Sequence, residues 1–272
     1  MFKELDSIGY DSYLKKFPFH HDLNLKIDNS TDKQLRLKTV KTAKSSVDPT
    51  NLVPIAAEID DLIRLHYLVT SRKVATILEF GVGKSTVVFN NALDFNKDKY
   101  YGWIKNNLRK SNLFEVHSVD NSRKWIKHMK KSHKLQNASI HFSKSRMGVF
   151  NDRICTYYDL IPNVSPDLIY LDAPDQFSIK GNIAGISTRN PDRLPMAADI
   201  LRLEHFLLPG TLIVVDGRAA NARFLKCNLQ RNWSYKYIDA YDQHFFELIE
   251  NPLGKYNKKQ IAFSKSKRLV FK

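Results

Sequence analysis

The stretch from Thr76 to Thr86, Thr-Ile-Leu-Glu-Phe-Gly-Val-Gly-Lys-Ser-Thr, constrains the fold more than any other part of the chain. It reads as a buried strand that breaks at two alternating glycines and re-enters as a helix, the turn by which α/β proteins hold nucleotide-like ligands. Two templates compete for it. A phosphate-binding P-loop requires a glycine five residues before the glycine that precedes the lysine, so that an arch of backbone N–H groups can wrap the phosphates. Leu78 occupies that position, inside the strand. The second template has an acid near the strand end followed by glycines at alternate positions, which lets the backbone turn tightly and pass close to a ligand. Glu79, Gly81 and Gly83 satisfy it.

Downstream, the pattern of an apolar run closed by a carboxylate recurs. Glu115-Val-His-Ser-Val-Asp120 predicts a second strand, with Asn121-Ser122 placed to cap a helix starting near Arg123. Ala138 to Phe142 is a candidate third strand. Asp167-Leu-Ile-Tyr-Leu-Asp172 and Thr211 to Asp216 both read as buried parallel strands ending in acid. Helices are expected from Pro54 onward, with Glu58, Asp60 and Asp61 at its start, and over Ser85 to Leu93, Leu194 to Leu207 and Arg223 to Leu229. Two strands near Ser234 to Ile238 and His244 to Ile249 close the domain. The Gly/Asn/Ser/Pro-rich loop from Ala173 to Pro191 is long enough to serve as a lid.

Strands alternating with helices imply a doubly wound, mainly parallel Rossmann-like sheet in a three-layer α/β/α arrangement, with a final antiparallel strand. Ligands of such sheets gather at the carboxyl ends of the strands, where Glu79, Asp120, Asp172 and Asp216 all fall. The chain then divides into an irregular or partly helical arm (1–53), an α/β domain (54–254) with a basic insertion near 94–112, and a basic tail (255–272).

A hydrophobic content of 43% excludes a wholly disordered chain, and no apolar run reaches the roughly 20 residues of a membrane helix. The charged start, Met1-Phe-Lys-Glu-Leu-Asp, does not resemble an export signal, and Cys155 and Cys227 are too few for a disulfide framework. A cytoplasmic protein is expected. The net charge of +15 is concentrated: residues 97–146 carry 13 Lys/Arg against Asp98, Glu115 and Asp120, and residues 255–272 carry seven with no acid. Such clusters favour anionic partners, and Tyr100, Tyr101, Trp103 and Trp125 among them could stack on bases, although Trp125, Ile126 and Met129 have the spacing of a core-facing helix.

The acid-x-Gly-x-Gly turn of Glu79, Gly81 and Gly83, with Ser85-Thr86 at the helix start, resembles the first motif of the class I S-adenosylmethionine-dependent methyltransferases. The family's frequent third glycine is replaced here by Lys84-Ser85. The resemblance implies S-adenosylmethionine as cofactor, held by Glu79, Gly81, Gly83 and Ser85, with Asp120 accepting the ribose hydroxyls. It places Asp172 and Asp216 as the catalytic acids, acting as a base or through a shared Mg²⁺; Gly217-Arg218 follows Asp216 where metal-dependent O-methyltransferases carry another oxygen ligand. Asp172-Ala-Pro-Asp175 departs from the Asp/Asn-Pro-Pro-aromatic motif of DNA amino-methyltransferases at Ala173 and Asp175, which disfavours base N-methylation. Arg189, Arg193 and Arg218 flank the expected mouth, and His205 and His244 are further candidate bases. The leading expectation is O-methylation of a sugar, glycan precursor or other small anionic acceptor. A nucleic-acid-binding module on the same fold and a P-loop-like phosphotransferase are the alternatives.

Overall fold

The computed structural model describes residues 1–23, 58–190 and 192–266. Pro54 and the rest of the 24–57 segment, Pro191 and the last six residues of the tail lie outside the described residues. The chain forms α1 (Lys3–Ile8), α2 (Tyr10–Lys16), α3 (Ile59–Ser71), β1 (Thr76–Phe80), α4 (Lys84–Asn107), β2 (Glu115–Asp120), α5 (Arg123–Ser132), β3 (Ala138–Phe142), β4 (Ser145–Phe150), β5 (Arg153–Tyr158) and β6 (Leu168–Leu171). It continues through α6 (Asp199–Leu203), β7 (Leu212–Asp216), α7 (Ala219–Asn228), β8 (Trp233–Ile238), β9 (Gln243–Leu248) and α8 (Gly254–Lys265).

Seven strands make one sheet in the order β3-β2-β1-β6-β7-β9-β8. The first five are parallel neighbours, and β9 is antiparallel to both β7 and β8, slotting between them rather than joining at the edge. Successive side chains of the central strands point to opposite faces, and both faces are apolar. Ile77, Leu168, Tyr170, Leu212 and Val214 enter the core beneath α3 and α4. Leu78, Phe80, Ile169, Leu171, Ile213 and Val215 enter the second core, beneath α6, α7 and the β4–β5 pair. This is the doubly wound three-layer sheet that the alternating pattern predicts.

Three segments differ from the sequence expectation. Residues 94–107, expected as part of an insertion, continue α4, because Asn96, Tyr100 and Ile104 form a buried stripe at helical spacing. The stripe is disguised by Asn96, whose amide donates to the carbonyls of Val69 (3.0 Å) and Val74 (2.9 Å). Between β3 and β6, where the sequence pattern marks no element, the chain makes a two-stranded antiparallel hairpin, β4–β5. Its two-residue turn, Asn151-Asp152, has φ of 45° and 59°, the left-handed conformation that such tight hairpins demand. The helix expected over Leu194–Leu207 is shorter, starting at Asp199 after Pro195 and ending in a 3₁₀ turn at Glu204–Phe206.

The described part of the N-terminal arm belongs to the main core. Phe2, Leu5, Tyr13, Leu14, Phe17, Phe19 and Leu23 are buried against α3, nearly all of whose residues are consequently buried. Tyr13 Oη meets His66 Nδ1 at 2.8 Å, and Phe19 stacks on the His66 ring. At the amino ends of the strands, α8 packs across the sheet: Phe263 stacks on Trp103 with centroids 4.0 Å apart, and Lys73 donates to the carbonyls of Phe263 (2.9 Å) and Ser266 (3.0 Å). Asn257 donates to the Pro209 carbonyl at 3.0 Å, and Gln260 bonds Asp167. Among the described residues no helix is long and apolar enough to cross a membrane.

Phe263 is thus the anchor of α8. Phe263→Ala should lower the unfolding free energy by about 1 to 3 kcal/mol, a partly buried aromatic being lost, and expose residues 254–266 to limited proteolysis. Chemical denaturation and cleavage mapping check this, and unchanged stability with unchanged cleavage would show that α8 is held elsewhere.

Candidate active site

The sheet order sets four acids side by side. Asp120 ends β2, Glu79 is the penultimate residue of β1, Asp172 follows β6, and Asp216 ends β7. Gly81, Gly83 and Ser85 lie in the turn between β1 and α4, above the same edge.

Glu79 has no exposed surface. Because alternate residues of β1 face opposite ways, its carboxyl points toward α4, where no cation meets it. Three hydroxyls do instead: Ser85 Oγ at 2.5 Å, Thr86 Oγ1 at 2.6 Å and Ser118 Oγ at 2.5 Å. Burial raises its pKa to about 7, with the three hydroxyls pulling the other way. Glu79 therefore ties the start of α4 to β1 and β2, shaping the glycine turn from beneath.

Within that turn the two glycines differ. Gly81 has φ of +110°, and a Cβ there would lie 3.1 Å from Ala173 Cβ, so both conformation and space call for glycine. Gly83 is extended, and a Cβ on it would meet only Ser85 Oγ at 3.9 Å, so open space lies over it. Gly83 N–H donates to Thr86 Oγ1 at 3.0 Å. Lys84, the first residue of α4, is half-buried, and burial lowers the pKa of its ammonium. No acid stands in the first turn of α4.

Asp120 closes the other side of the turn. Its Oδ2 accepts from Val82 N–H at 3.1 Å and its Oδ1 from Ser122 N–H at 2.7 Å. Burial raises its pKa, and these backbone donors oppose the rise. Ser122 caps α5 by accepting from Trp125 N–H at 3.2 Å, and the Trp125 indole bonds the Val82 carbonyl. Asn121 donates to Ser145 Oγ (2.5 Å) and Ser178 Oγ (2.7 Å), strapping the loop after β6 to the hairpin.

Asp172 reaches the cleft with 55% of its side chain exposed and pairs with Arg218, Nε to Oδ1 at 3.3 Å. The same guanidinium donates to the carbonyls of Asp172 (2.6 Å) and Pro174 (3.1 Å), so it also holds the chain at the cis Ala173-Pro174 peptide. Desolvation by the surrounding cleft walls raises the Asp172 pKa and Arg218 opposes the rise. Asp216 accepts from Tyr170 Oη at 2.7 Å and from the Gln243 amide. Burial first, and then the Asp172 charge, push its pKa upward. The counter-charge of Asp172 is Arg218, and among the described residues no three His, Cys, Asp or Glu side chains converge to hold a metal ion.

Other candidates lie elsewhere. His205 is exposed on a 3₁₀ turn, while His244 is buried in β9 between Tyr235 and Tyr237. Arg189 and Arg193 are exposed on the loop. Leu78 sits fully buried in mid-strand, so no phosphate-wrapping arch precedes Lys84. Of the aromatic residues considered for stacking, Tyr100 is buried, Trp103 lies on Phe263 and Trp125 on His128, which leaves Tyr101 the most accessible of the four. A hollow lined by Lys73, Asp167, Gly210 and Gln260 lies at the opposite edge, under α8. Sequence reasoning missed Tyr170, Gln243 and Asn121, whose roles depend on register and loop packing.

No protein-family model matches the chain, and no curated protein matches it. Similar solved structures include the SAH-bound Podospora anserina methyltransferase PaMTH1, 11% identical, with 83% of this chain and 98% of that one covered and a TM-score of 0.42. The O-methyltransferase TomG from Streptomyces achromogenes, in complex with SAM, is 13% identical, with 89% and 98% covered and a TM-score of 0.39. An O-methyltransferase from Bacillus cereus, in complex with SAH, is 11% identical, with 88% and 99% covered and a TM-score of 0.38. The fold assignment rests on the strand order itself: a Rossmann-like, seven-stranded, mainly parallel sheet in which one strand runs antiparallel to its neighbours.

The raised pKa of Glu79 gives a test of its environment. A carboxyl moved from the ordinary 4.5 to about 7 stabilises the native state while protonated, and this contribution is lost as pH rises between those values. Glu79→Gln keeps the shape and does not titrate. The stability of the variant relative to wild type should therefore improve by on the order of 2 kcal/mol from pH 4.5 to 7.5. Urea unfolding at a series of pH values measures it, and a constant difference would mean that Glu79 titrates normally.

Proposed function

We propose that this chain is an S-adenosylmethionine-dependent methyltransferase acting on a hydroxyl of a small molecule, a sugar or a glycan precursor. The observation that carries the reading is the glycine turn pinned from both sides by strand-end acids, Glu79 through Ser85 and Thr86, and Asp120 through Val82 N–H. In this reading Gly81, Gly83 and Ser85 bring the backbone against the cofactor's amino-acid end. Lys84 offers a cation to its carboxylate, and Asp120 accepts the ribose hydroxyls. The cofactor supplies the electrophilic methyl group. Methyl transfer is an in-line displacement, so the chain's part is to align the acceptor, exclude water and take the hydroxyl proton.

Asp172 is the proposed base. Arg218 fixes its orientation and favours its ionised form, while Asp216, held by Tyr170 and Gln243, supplies a second acceptor for substrate hydroxyls. A Mg²⁺ shared by the two carboxylates would have to compete with Arg218, so we assign the proton transfer to Asp172 directly. The cleft floor is lined by carboxylates, which suits hydroxyl donors. An anionic group on the acceptor would lie farther out, toward Arg189, Arg193 or the exposed cations of α5. Both cysteines are free thiols, in keeping with a reducing cytoplasm.

Calorimetric titration with S-adenosylmethionine, S-adenosylhomocysteine and ATP tests the reading, with binding of the first two and not the third expected. Asp120→Ala should weaken S-adenosylhomocysteine by about 1 to 3 kcal/mol, the scale of hydrogen bonds to a charged group. Unchanged affinity in the folded variant removes Asp120 from the site. On an acceptor found by screening, Asp172→Asn should leave cofactor affinity nearly intact and cut turnover by about 100-fold or more. Chelator should not affect the wild type; inhibition by chelator would reinstate the metal route, and normal turnover of Asp172→Asn would end the catalytic assignment.

A further inference from the structure

Tyr158, the last residue of β5, has no exposed surface, and its hydroxyl has no hydrogen-bond partner among the described residues. Most buried hydroxyls find one, so an unmet group beside a ligand cleft calls for an explanation. Its surroundings fix where it lies. The ring stacks on Phe80, the residue before Gly81, with centroids 5.9 Å apart and planes 24° apart. Its strand partner is Ser145, which Asn121, the residue after Asp120, grips by its hydroxyl. Its backbone N–H donates to Asp199 Oδ1 at 3.0 Å. Of the charges acting on the phenol, Asp120 is the strongest, followed by Asp199, Arg218 and Asp172. Stacked on Phe80 and paired with the Ser145 that Asn121 holds, the ring lies on the Asp120 side of the cleft.

We propose that Tyr158 is a cofactor-positioning residue whose hydroxyl donates a hydrogen bond to an oxygen of the ribose that Asp120 binds. The inference rests on the cofactor reading above. An ionised carboxylate only accepts, whereas a ribose hydroxyl both donates and accepts, so Asp120 and a phenol satisfy complementary halves of the sugar. Burial among carboxylates holds the phenol proton on well above neutral pH, which keeps Tyr158 a donor. The hydroxyl is closed to solvent, so the nucleoside meets it once the strap from Asn121 to Ser145 and Ser178 has parted.

Tyr158→Phe in the full chain tests this by calorimetry with S-adenosylhomocysteine and with 5′-methylthioadenosine, which keeps the nucleoside and lacks the amino-acid group. Both ligands should bind about 2- to 12-fold more weakly, the loss of one neutral hydrogen bond. The unfolding temperature of the ligand-free variant should rise by about 2 to 5 °C, because an unmet polar group has been removed. A hydroxyl satisfied by a trapped water gives the reverse, a lower unfolding temperature with unchanged affinities, and overturns the proposal. Weakening of S-adenosylhomocysteine alone places the contact at the amino-acid end and also overturns it. If the wild type binds neither ligand, the cofactor reading itself falls and takes the Tyr158 assignment with it.

Discussion

A carboxyl group buried without a cation organises the working edge of this protein. Glu79 is inside the sheet layer, and an ionised carboxylate there would be expensive without compensation. The chain meets the difficulty with three hydroxyls from two elements: Ser118 on the neighbouring strand, and Ser85 and Thr86 on the first turn of α4. Each bond that satisfies Glu79 also fixes the relation between β1, β2 and α4. The glycine turn between them then has little freedom, and Gly81, pressed toward Ala173, ties it to β6 as well. Asp120 holds the opposite side through Val82 N–H. The geometry of the candidate site is in this sense a by-product of how one buried acid is made tolerable.

The same economy operates at Asp172. Arg218 serves the carboxylate and two carbonyls of the adjoining chain at once, so the charge facing the cleft and the path of the loop depend on a single guanidinium. Asp216 is steadied differently, by the neutral donors Tyr170 and Gln243. Two carboxylates at neighbouring strand ends thus sit in unlike surroundings, one countered by a cation and one by dipoles, which is how adjacent acids come to differ in basicity.

The central sheet was legible because both of its faces are buried. A parallel strand covered on both sides must be apolar throughout, so Leu168-Ile-Tyr-Leu171 and Leu212-Ile-Val-Val215 announce themselves, and the acids that follow mark the open edge. The hairpin was not legible in the same way. Ser145-Arg-Met-Gly-Val-Phe150 mixes charge, glycine and apolar residues because the pair lies on the surface of the second core, and its one clear signal, Asn151-Asp152, is brief. The second half of α4 was hidden by Asn96, a polar residue spent on satisfying backbone carbonyls of α3 and the turn after it. Of the site, the strand-end acids and the glycines could be read from spacing. Arg218 could be placed at the mouth but not paired with Asp172, and the parts played by Tyr170, Gln243 and Asn121 could not be read, since each acts across 24 to 57 residues or through strand register.

The course of α4 has a consequence for how the protein's positive charge is felt. Its 24 residues run from the glycine turn to the opposite edge of the sheet, a length of about 36 Å. Arg123 and Lys124, at the start of α5, share the end where the glycine turn lies, whereas Lys105, Lys255 and Lys259 lie with α8 at the other. At physiological ionic strength electrostatic influence decays over about 8 Å, so the two cationic ends are separated by several screening lengths. The two groups act in solution as independent poles. An anion drawn to the α8 end gains nothing from the charges beside the cleft, and only the cations near α5 and those of the loop, Arg189 and Arg193, can raise the local concentration of an anionic substrate where it would react.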